Sequence, residues 1–143
     1  MITIAVAVAL TAALIVPASA PAAPPRPFGH ACTDENGVRF CPTTGLNDRV
    51  PTWDGVPIDV DVTLPDSGDG PYPTITMIHG LGQSKTAFEA TDDNGTAASG
   101  APAPQRYHYN NVFYAHHGYA VVNITERGYG NSWQAGVAHL ARL

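Results

Sequence analysis

The sequence contains few basic residues, few cysteines and few charges of any kind. Its 143 residues include only seven lysines and arginines against twelve aspartates and glutamates, so the net charge is −5. There is no basic patch, which argues against a nucleic-acid partner. Two cysteines cannot complete a structural zinc site, and the sequence predicts neither a metal nor a cofactor. The charged share of 13% favours one loop-rich domain over a bundle of exposed helices.

The sequence also lacks an apolar run long enough to span a bilayer comfortably. Residues 2–16 form a shorter uncharged run, which Pro17 ends. Two A-x-A patterns follow, 18–20 and 20–22, and both resemble signal-peptidase sites. We predict a signal peptide over residues 1–22, a secreted protein and no membrane association after cleavage. Because no lysine or arginine precedes the run, an N-terminal anchor or a misplaced start codon is the alternative.

A Pro/Ala-rich linker and an arm follow over residues 23–48. This segment contains both cysteines, Cys32 and Cys41. Disulfides persist in exported proteins, so we predict that these two residues are bonded to each other. The bond would close the arm around a turn at Asn36-Gly37, a dipeptide typical of tight hairpins.

The next segment predicts an antiparallel hairpin. Residues 49–53 form a short candidate strand, and Asp54-Gly55 is a strong turn dipeptide. Residues 56–64 then alternate between apolar and polar side chains, with Asp59, Asp61 and Thr63 on the polar side. Period-2 alternation indicates a strand with one buried face and one face in water.

A second candidate strand leads into a glycine-rich loop. Residues 74–78 are apolar and β-branched, typical of a strand buried on both faces of a parallel sheet. His79-Gly80-Leu81-Gly82 follows, where open α/β sheets bind their ligands. The loop could be a plain connection, an oxyanion loop or a phosphate-binding loop. A phosphate-binding loop would need glycine at positions 79 and 84, and this sequence has His79 and Ser84 there.

The remaining segments predict a helix between two strands. Residues 92–105 have the composition of a disordered surface insertion. Residues 106–117 have helical spacing, with Gly118 placed to end the helix. Residues 119–125 are a buried-type strand, followed by a second glycine-rich turn. The strands at 74–78 and 119–125 would therefore be a parallel pair in a βαβ unit.

Three motifs resemble the N-terminal part of the α/β-hydrolases. They are Asp54–Val56 (Asp-Gly-Val), His79–Thr86 (His-Gly-Leu-Gly-Gln-Ser-Lys-Thr) and Arg127–Ser132 (Arg-Gly-Tyr-Gly-Asn-Ser). The closest resemblance is to the X-Pro dipeptidyl-peptidase (S15) and cocaine-esterase-like group. It implies an incomplete α/β fold, the N-terminal half of a hydrolase sheet: an antiparallel hairpin followed by a parallel βαβ unit. Residues 49–143 would form this partial domain.

The resemblance also implies a role for the glycine-rich loop. The backbone N–H of Leu81 would be one donor of an oxyanion hole, with His79, Gly80 and Gly82 shaping the loop. The second donor follows the nucleophile in a Gly-x-Ser-x-Gly motif, and this sequence has no such motif. None of the catalytic triad is therefore assigned here.

Two functions remain open from the sequence. In the first, the chain is the N-terminal fragment of a secreted serine hydrolase that cleaves a small ester or peptide through an acyl-enzyme. The chain alone would then be inactive. In the second, it is a non-catalytic secreted α/β domain or a pseudo-hydrolase fragment. The substrate itself is not encoded in these residues.

Overall fold

A computed structural model describes residues 23–100 and 104–133, and the predicted signal peptide lies outside them. Within these described residues, the fold consists of a mixed five-stranded sheet, one α-helix and three 3₁₀ turns. The strands are β1 (Thr33–Glu35), β2 (Val38–Cys41), β3 (Val60–Pro65), β4 (Thr74–Ile78) and β5 (Ala120–Ile124). The helix is α1 (Asn111–His116), and the 3₁₀ turns are Pro27–Gly29, Lys85–Phe88 and Pro104–Arg106. This is an α/β fold with few helices.

The strand order in the sheet is β1-β2-β3-β5-β4. The pairs β1–β2, β2–β3 and β3–β5 are antiparallel, whereas β4 and β5 are parallel. The chain passes through α1 between β4 and β5. The carboxyl ends of these two strands therefore lie together at one edge of the sheet, as expected for a parallel pair.

The N-terminal arm is part of this sheet. Strands β1 and β2 form a hairpin whose two loop residues, Asn36 and Gly37, both have positive φ, 53° and 71°. These values suit the tight turn that the Asn-Gly dipeptide predicts. Cys32 and Cys41 flank the hairpin and form a disulfide with 4.0 Å between their Cα atoms. The predicted cysteine pair is confirmed, and β2 continues the pairing to β3.

The predicted hairpin at 49–64 is shorter than expected. Residues 49–53 form no strand, and one bridge between Val50 and Ile58 replaces the ladder. The regular strand, β3, begins only at Val60, and the prediction that one of its faces meets water is wrong. All six residues of β3 are buried, since other elements cover both sides of the strand.

The two faces of β3 pack against different partners. Its apolar side chains belong to a core cluster with Cys41 and Ala120, and with Val50, Ile58 and Tyr72 around it. On the opposite face, Thr63 Oγ1 accepts a hydrogen bond of 2.9 Å from Asn111 Nδ2 at the start of α1. Val112 and Ala115 of α1 pack with Val38 of β2. Helix α1 therefore covers the polar face of β3 at Thr63.

Strand β4 is less buried than its apolar sequence predicts. It lies at the end of the sheet, and only Met77 is buried, whereas Ile78 is 57% exposed. The expectation of two buried faces is wrong, since four of the five residues of β4 are half-buried or exposed, and no strand in the described part of the chain pairs with its outer edge. Strand β5, in contrast, has neighbours on both sides and is largely buried.

Helix α1 is shorter than the predicted span of 106–117. It begins after Asn110, whose side chain accepts a hydrogen bond from the N–H of Phe113 at 2.9 Å. An asparagine in this position satisfies one of the free N–H groups of the first turn. Gly118 follows the helix with φ of 86°, the left-handed conformation predicted for it.

The first part of the predicted insertion is ordered by hydrogen bonds. The Asp92 carboxylate accepts bonds from the N–H and hydroxyl of Thr96, and the Asp93 carboxylate contacts His116 of α1 at 2.7 Å. The composition of this segment therefore does not predict its order, because short polar contacts, and not apolar burial, fix its conformation.

No helix among the described residues is long and apolar enough to cross a membrane.

Candidate active site

Three loops meet at the edge of the sheet where β4 and β5 end. Residues 79–84 follow β4 and residues 126–131 follow β5. Because β3 is antiparallel to β5, the turn that precedes β3 lies at the same edge, and Thr125 N–H donates to the Asp59 carbonyl at 2.9 Å. The predicted oxyanion loop is therefore in the position where α/β sheets bind ligands.

His79 is fixed at both ring nitrogens. Its Nε2 accepts a hydrogen bond of 2.9 Å from the Glu126 N–H, and its Nδ1 lies 2.7 Å from the Gly80 carbonyl oxygen. Since Nε2 accepts, Nδ1 carries the proton and donates it. The ring is 7% exposed and contacts Tyr129 edge-on. The imidazole, bonded at both nitrogens, connects the loops that follow β4 and β5.

Leu81 and Gly82 lie at the tip of the loop. Gly82 has φ of 76°, a conformation that favours glycine. The Gln83 N–H donates to the Gly80 carbonyl at 3.2 Å, which closes a tight turn around the tip. Leu81 is 83% exposed, and its backbone N–H has no hydrogen-bond partner in the described residues. The structure thus presents an unpaired donor where an oxyanion donor is predicted.

Immediately after the loop, the Lys85 side chain, which is 12% exposed, lies between two buried carboxylates. Its Nζ lies 2.7 Å from Asp59 Oδ1 and 2.6 Å from Asp61 Oδ1. Burial by itself lowers the pKa of Lys85, but the contacts with these two carboxylates outweigh burial and raise it above its usual value. The alternation over residues 56–64 predicts that Asp59 and Asp61 face water, but in the structure the Lys85 side chain covers both carboxylates.

The backbone of Lys85 is also fixed. Its N–H donates to Thr125 Oγ1 at 3.0 Å, and its carbonyl accepts from Asn123 Nδ2 at 3.2 Å. Both partners are fully or almost fully buried at the end of β5. Lys85 therefore joins the end of the loop to β5 through its backbone and to the β3 side through its side chain.

A fourth titratable group completes this buried cluster. The pKa of Glu89 is raised from 4.5 to about 9. Desolvation of the carboxyl is the largest cause, and a side-chain interaction with Asp61 and repulsion from the Asp61 charge add to it. A carboxyl group with so high a pKa keeps its proton at neutral pH. The Glu89 backbone carbonyl accepts from Arg106 Nη1 at 2.7 Å.

None of the serines near the site has the environment of a nucleophile. Ser132 is fully buried; its Oγ donates to the Thr125 carbonyl at 2.6 Å and accepts from the Asp59 N–H at 2.9 Å. Ser84 Oγ lies 3.0 Å from Thr86 Oγ1, and Ser99 lies in the loop before α1. Among the described residues, none of these three serines is hydrogen-bonded to a histidine. Ser132 is a structural residue that joins β3 to the loop after β5.

The Asp-Gly-Val turn is connected to the loop after β5 by an ion pair. The Arg127 guanidinium contacts the Asp54 carboxylate, and this contact, with one from Thr52, lowers the pKa of Asp54 to about 2. The neighbouring Trp53 is 95% exposed. All three motifs that suggested the hydrolase resemblance therefore lie at one edge of the sheet.

The order and position of these motifs agree with a comparison to known families. The family profile of the X-Pro dipeptidyl-peptidase (S15 family) matches residues 54–138, which is more than half of the chain. The chain belongs to the X-Pro dipeptidyl-peptidase (S15) family. No curated protein and no solved structure matches it significantly.

The S15 match supports a hydrolase-like fragment and does not by itself assign catalytic residues. The structure brings together His79, Gly80, Leu81 and Gly82, and their predicted roles remain predictions. Sequence reasoning missed Lys85, Asp59 and Asp61, although a lone lysine after the loop and two alternating aspartates were visible signals. Among the described residues no group of histidine, cysteine, aspartate and glutamate could hold a metal ion.

Proposed function

We propose that this chain forms the N-terminal part of a secreted serine hydrolase of the S15 family. The complete enzyme cleaves a small ester or peptide bond through an acyl-enzyme. The chain described here supplies one hydrogen-bond donor of the oxyanion hole, the N–H of Leu81. The nucleophile, the acid and the catalytic histidine come from sequence that follows these strands in the α/β-hydrolase order.

One observation carries this proposal, the unpaired Leu81 N–H at the tip of a loop that is fixed on both sides. His79 holds the first end through the Glu126 N–H, and Lys85 holds the second end. A preorganised donor at the carboxyl end of a strand is what stabilisation of a developing oxyanion requires. A plain connection would not need contacts of this kind at both ends.

The exposed edge of β4 supports the view that the sheet is incomplete. No strand among the described residues pairs with the outer edge of β4, which ends in a half-exposed isoleucine. Such an edge is an aggregation hazard unless another element covers it. In the proposed enzyme a further parallel strand pairs with β4 and carries the nucleophile. The βαβ unit formed by β4, α1 and β5 would then lie within a larger sheet.

The alternative function is a non-catalytic secreted domain. It is favoured by the buried Ser132 and by the absence of a Gly-x-Ser-x-Gly motif from the sequence. For the 143-residue chain alone this description of activity is the better one. The two proposals differ only in whether the oxyanion loop is used.

The test uses a complete enzyme made by joining this chain to the second half of an S15 relative. Leu81→Ala keeps the backbone N–H and should leave kcat within a few-fold. Leu81→Pro removes the donor and should lower kcat by roughly 10²–10³, the usual cost of one oxyanion contact. Both variants must show the parent's melting transition and normal labelling by a sulfonyl fluoride. Equal rates for the two variants would show that Leu81 is only a turn residue.

Export is the second part of the proposal. The Cys32–Cys41 disulfide is compatible with an extracellular protein. We expect cleavage before Pro21 or Ala23, which intact-mass measurement on secreted material would detect. A protein that retains Met1 in the membrane fraction would contradict export.

A further inference from the structure

We infer that Lys85 is a positioning residue, which fixes loop 79–84 and thereby the direction of the Leu81 N–H. This inference rests on the proposed use of that N–H as an oxyanion donor. It assigns a function to the buried ionic cluster below the loop, which the chemistry of a serine hydrolase does not otherwise use. Lys85 itself would not touch the substrate.

The argument begins with the length of the loop. Only Gly80 to Ser84 separate His79 from Lys85, and both of these residues are bonded to the sheet. Within the loop, the two hydrogen bonds between Gly80 and Gln83 close the turn, while the tip at Leu81 and Gly82 makes none in the described structure. The conformation of the tip is therefore determined by the two ends.

The contacts at the Lys85 end are stronger than those at the His79 end. Lys85 has two charge-assisted contacts through Nζ and two hydrogen bonds through its backbone. Charge-assisted hydrogen bonds are roughly twice as strong as neutral ones. Asp61 and Asn123 lie on β3 and β5, two adjacent strands in the interior of the sheet. Asp59 and Thr125 lie directly beside the ends of these strands, so all four partners are themselves held firmly.

The groups around Nζ explain why a lysine is required. Asp59 and Asp61 are each about 4% exposed, and the protonated Glu89 lies beside Asp61. Without the ammonium group, two carboxylates would remain buried with no counter-ion, which strongly destabilises a protein. A structural role alone would account for this arrangement, so the test must measure the loop separately from overall stability.

The experiment measures backbone ¹⁵N order parameters in the 143-residue chain. Rigid amides have values of about 0.85 and flexible ones lie below about 0.6. In Lys85→Met, we expect the order parameters of Leu81 and Gly82 to fall from the rigid to the flexible range, while those of Val121 and Val122 in β5 stay unchanged. Lys85→Arg, which keeps the charge, should restore most of the loop order.

Two further variants keep the inference falsifiable. Thr125→Val removes only the acceptor of the Lys85 N–H and should produce a smaller decrease at Leu81, even if Lys85→Met does not fold. Arg39→Met is the matched control: this cation bonds to Pro65, Gly68 and Tyr72, away from the loop. It should lower the melting temperature without altering the loop.

Unchanged order at Leu81 and Gly82 in both Lys85→Met and Thr125→Val would overturn the inference, as would an equal loss in Arg39→Met. If Lys85→Met does not fold, unchanged order in Thr125→Val alone overturns it. The measurement needs no catalysis, so it is independent of the Leu81 kinetics. A rigid loop with a kinetically silent Leu81 would refute the proposed function and leave the positioning effect established.

Discussion

The N–H of Glu126, the second residue after β5, donates a hydrogen bond of 2.9 Å to Nε2 of His79, the residue that follows β4. The bond joins the loops that continue two neighbouring parallel strands. Because the His79 ring also donates to the Gly80 carbonyl, one buried side chain determines the start of the loop that bears Leu81. These two hydrogen bonds support the prediction that His79 shapes the loop.

His79→Ala should lower the free energy of unfolding by about 1–3 kcal/mol, because the Glu126 N–H loses its acceptor and a space opens beside Tyr129. Urea denaturation measures this difference. His117→Ala, which removes an exposed ring from the end of α1, is the control and should change stability by less than about 0.5 kcal/mol. A change at His79 no larger than the control would contradict the structural role.

Glu89 should make stability depend on pH. Its pKa is 4.5 when unperturbed and about 9 in the folded protein. Between these two pH values the unfolded chain loses the proton that the folded chain keeps. The stabilisation that proton binding at Glu89 gives the folded state is therefore complete below pH 4.5 and is lost as the pH rises through about 9.

Glu89→Gln should remove that dependence. The free energy of unfolding of the variant minus that of the parent should grow by up to about 1.4 kcal/mol per pH unit across this window. Urea denaturation at several pH values measures the difference. Glu126→Gln, at an exposed position, should give a difference that does not vary with pH. A flat difference for Glu89→Gln would show that Glu89 is ionised in the folded protein.

The disulfide between Cys32 and Cys41 should stabilise the fold by about 2–3 kcal/mol, as estimated from the short loop that it closes. Replacing both cysteines by alanine should lower the free energy of unfolding by this amount in urea. Titration of free thiols in the unreduced, secreted protein gives an independent check. Two titrating thiols would show that the bond does not form in the secreted protein.

The 143-residue chain should hydrolyse no ester at a measurable rate. Ser132 is buried and bonded to the backbone of Asp59, just before β3, and of Thr125, just after β5, so it is not accessible to a fluorophosphonate probe. Ser132→Ala should therefore destabilise the chain by about 1–3 kcal/mol, since the Asp59 N–H loses its acceptor. Turnover of p-nitrophenyl acetate that a serine-directed inhibitor abolishes, or labelling of Ser84, Ser99 or Ser132, would refute this prediction.

Local signals in the sequence determined several features that the structure reproduces. Asn36-Gly37 specified a tight turn because glycine adopts positive φ without strain and asparagine tolerates it better than most residues. Gly118 marked the end of α1 for the same reason. The two cysteines predicted their own bond, since a tight turn brings the residues on either side of it opposite each other. These features depend on residues close together in the chain.

Tertiary structure decided which faces and edges are covered. The alternation in β3 shows two faces but does not show that Lys85 covers Asp61 or that Asn111 covers Thr63, contacts across 24 and 48 positions of sequence. The apolar residues of β4 do not reveal that the strand lies at the edge of the sheet. Burial is a property of packed elements and not of one segment, so periodicity predicts the strands, while only the assembled sheet places Lys85 between Asp59 and Asp61.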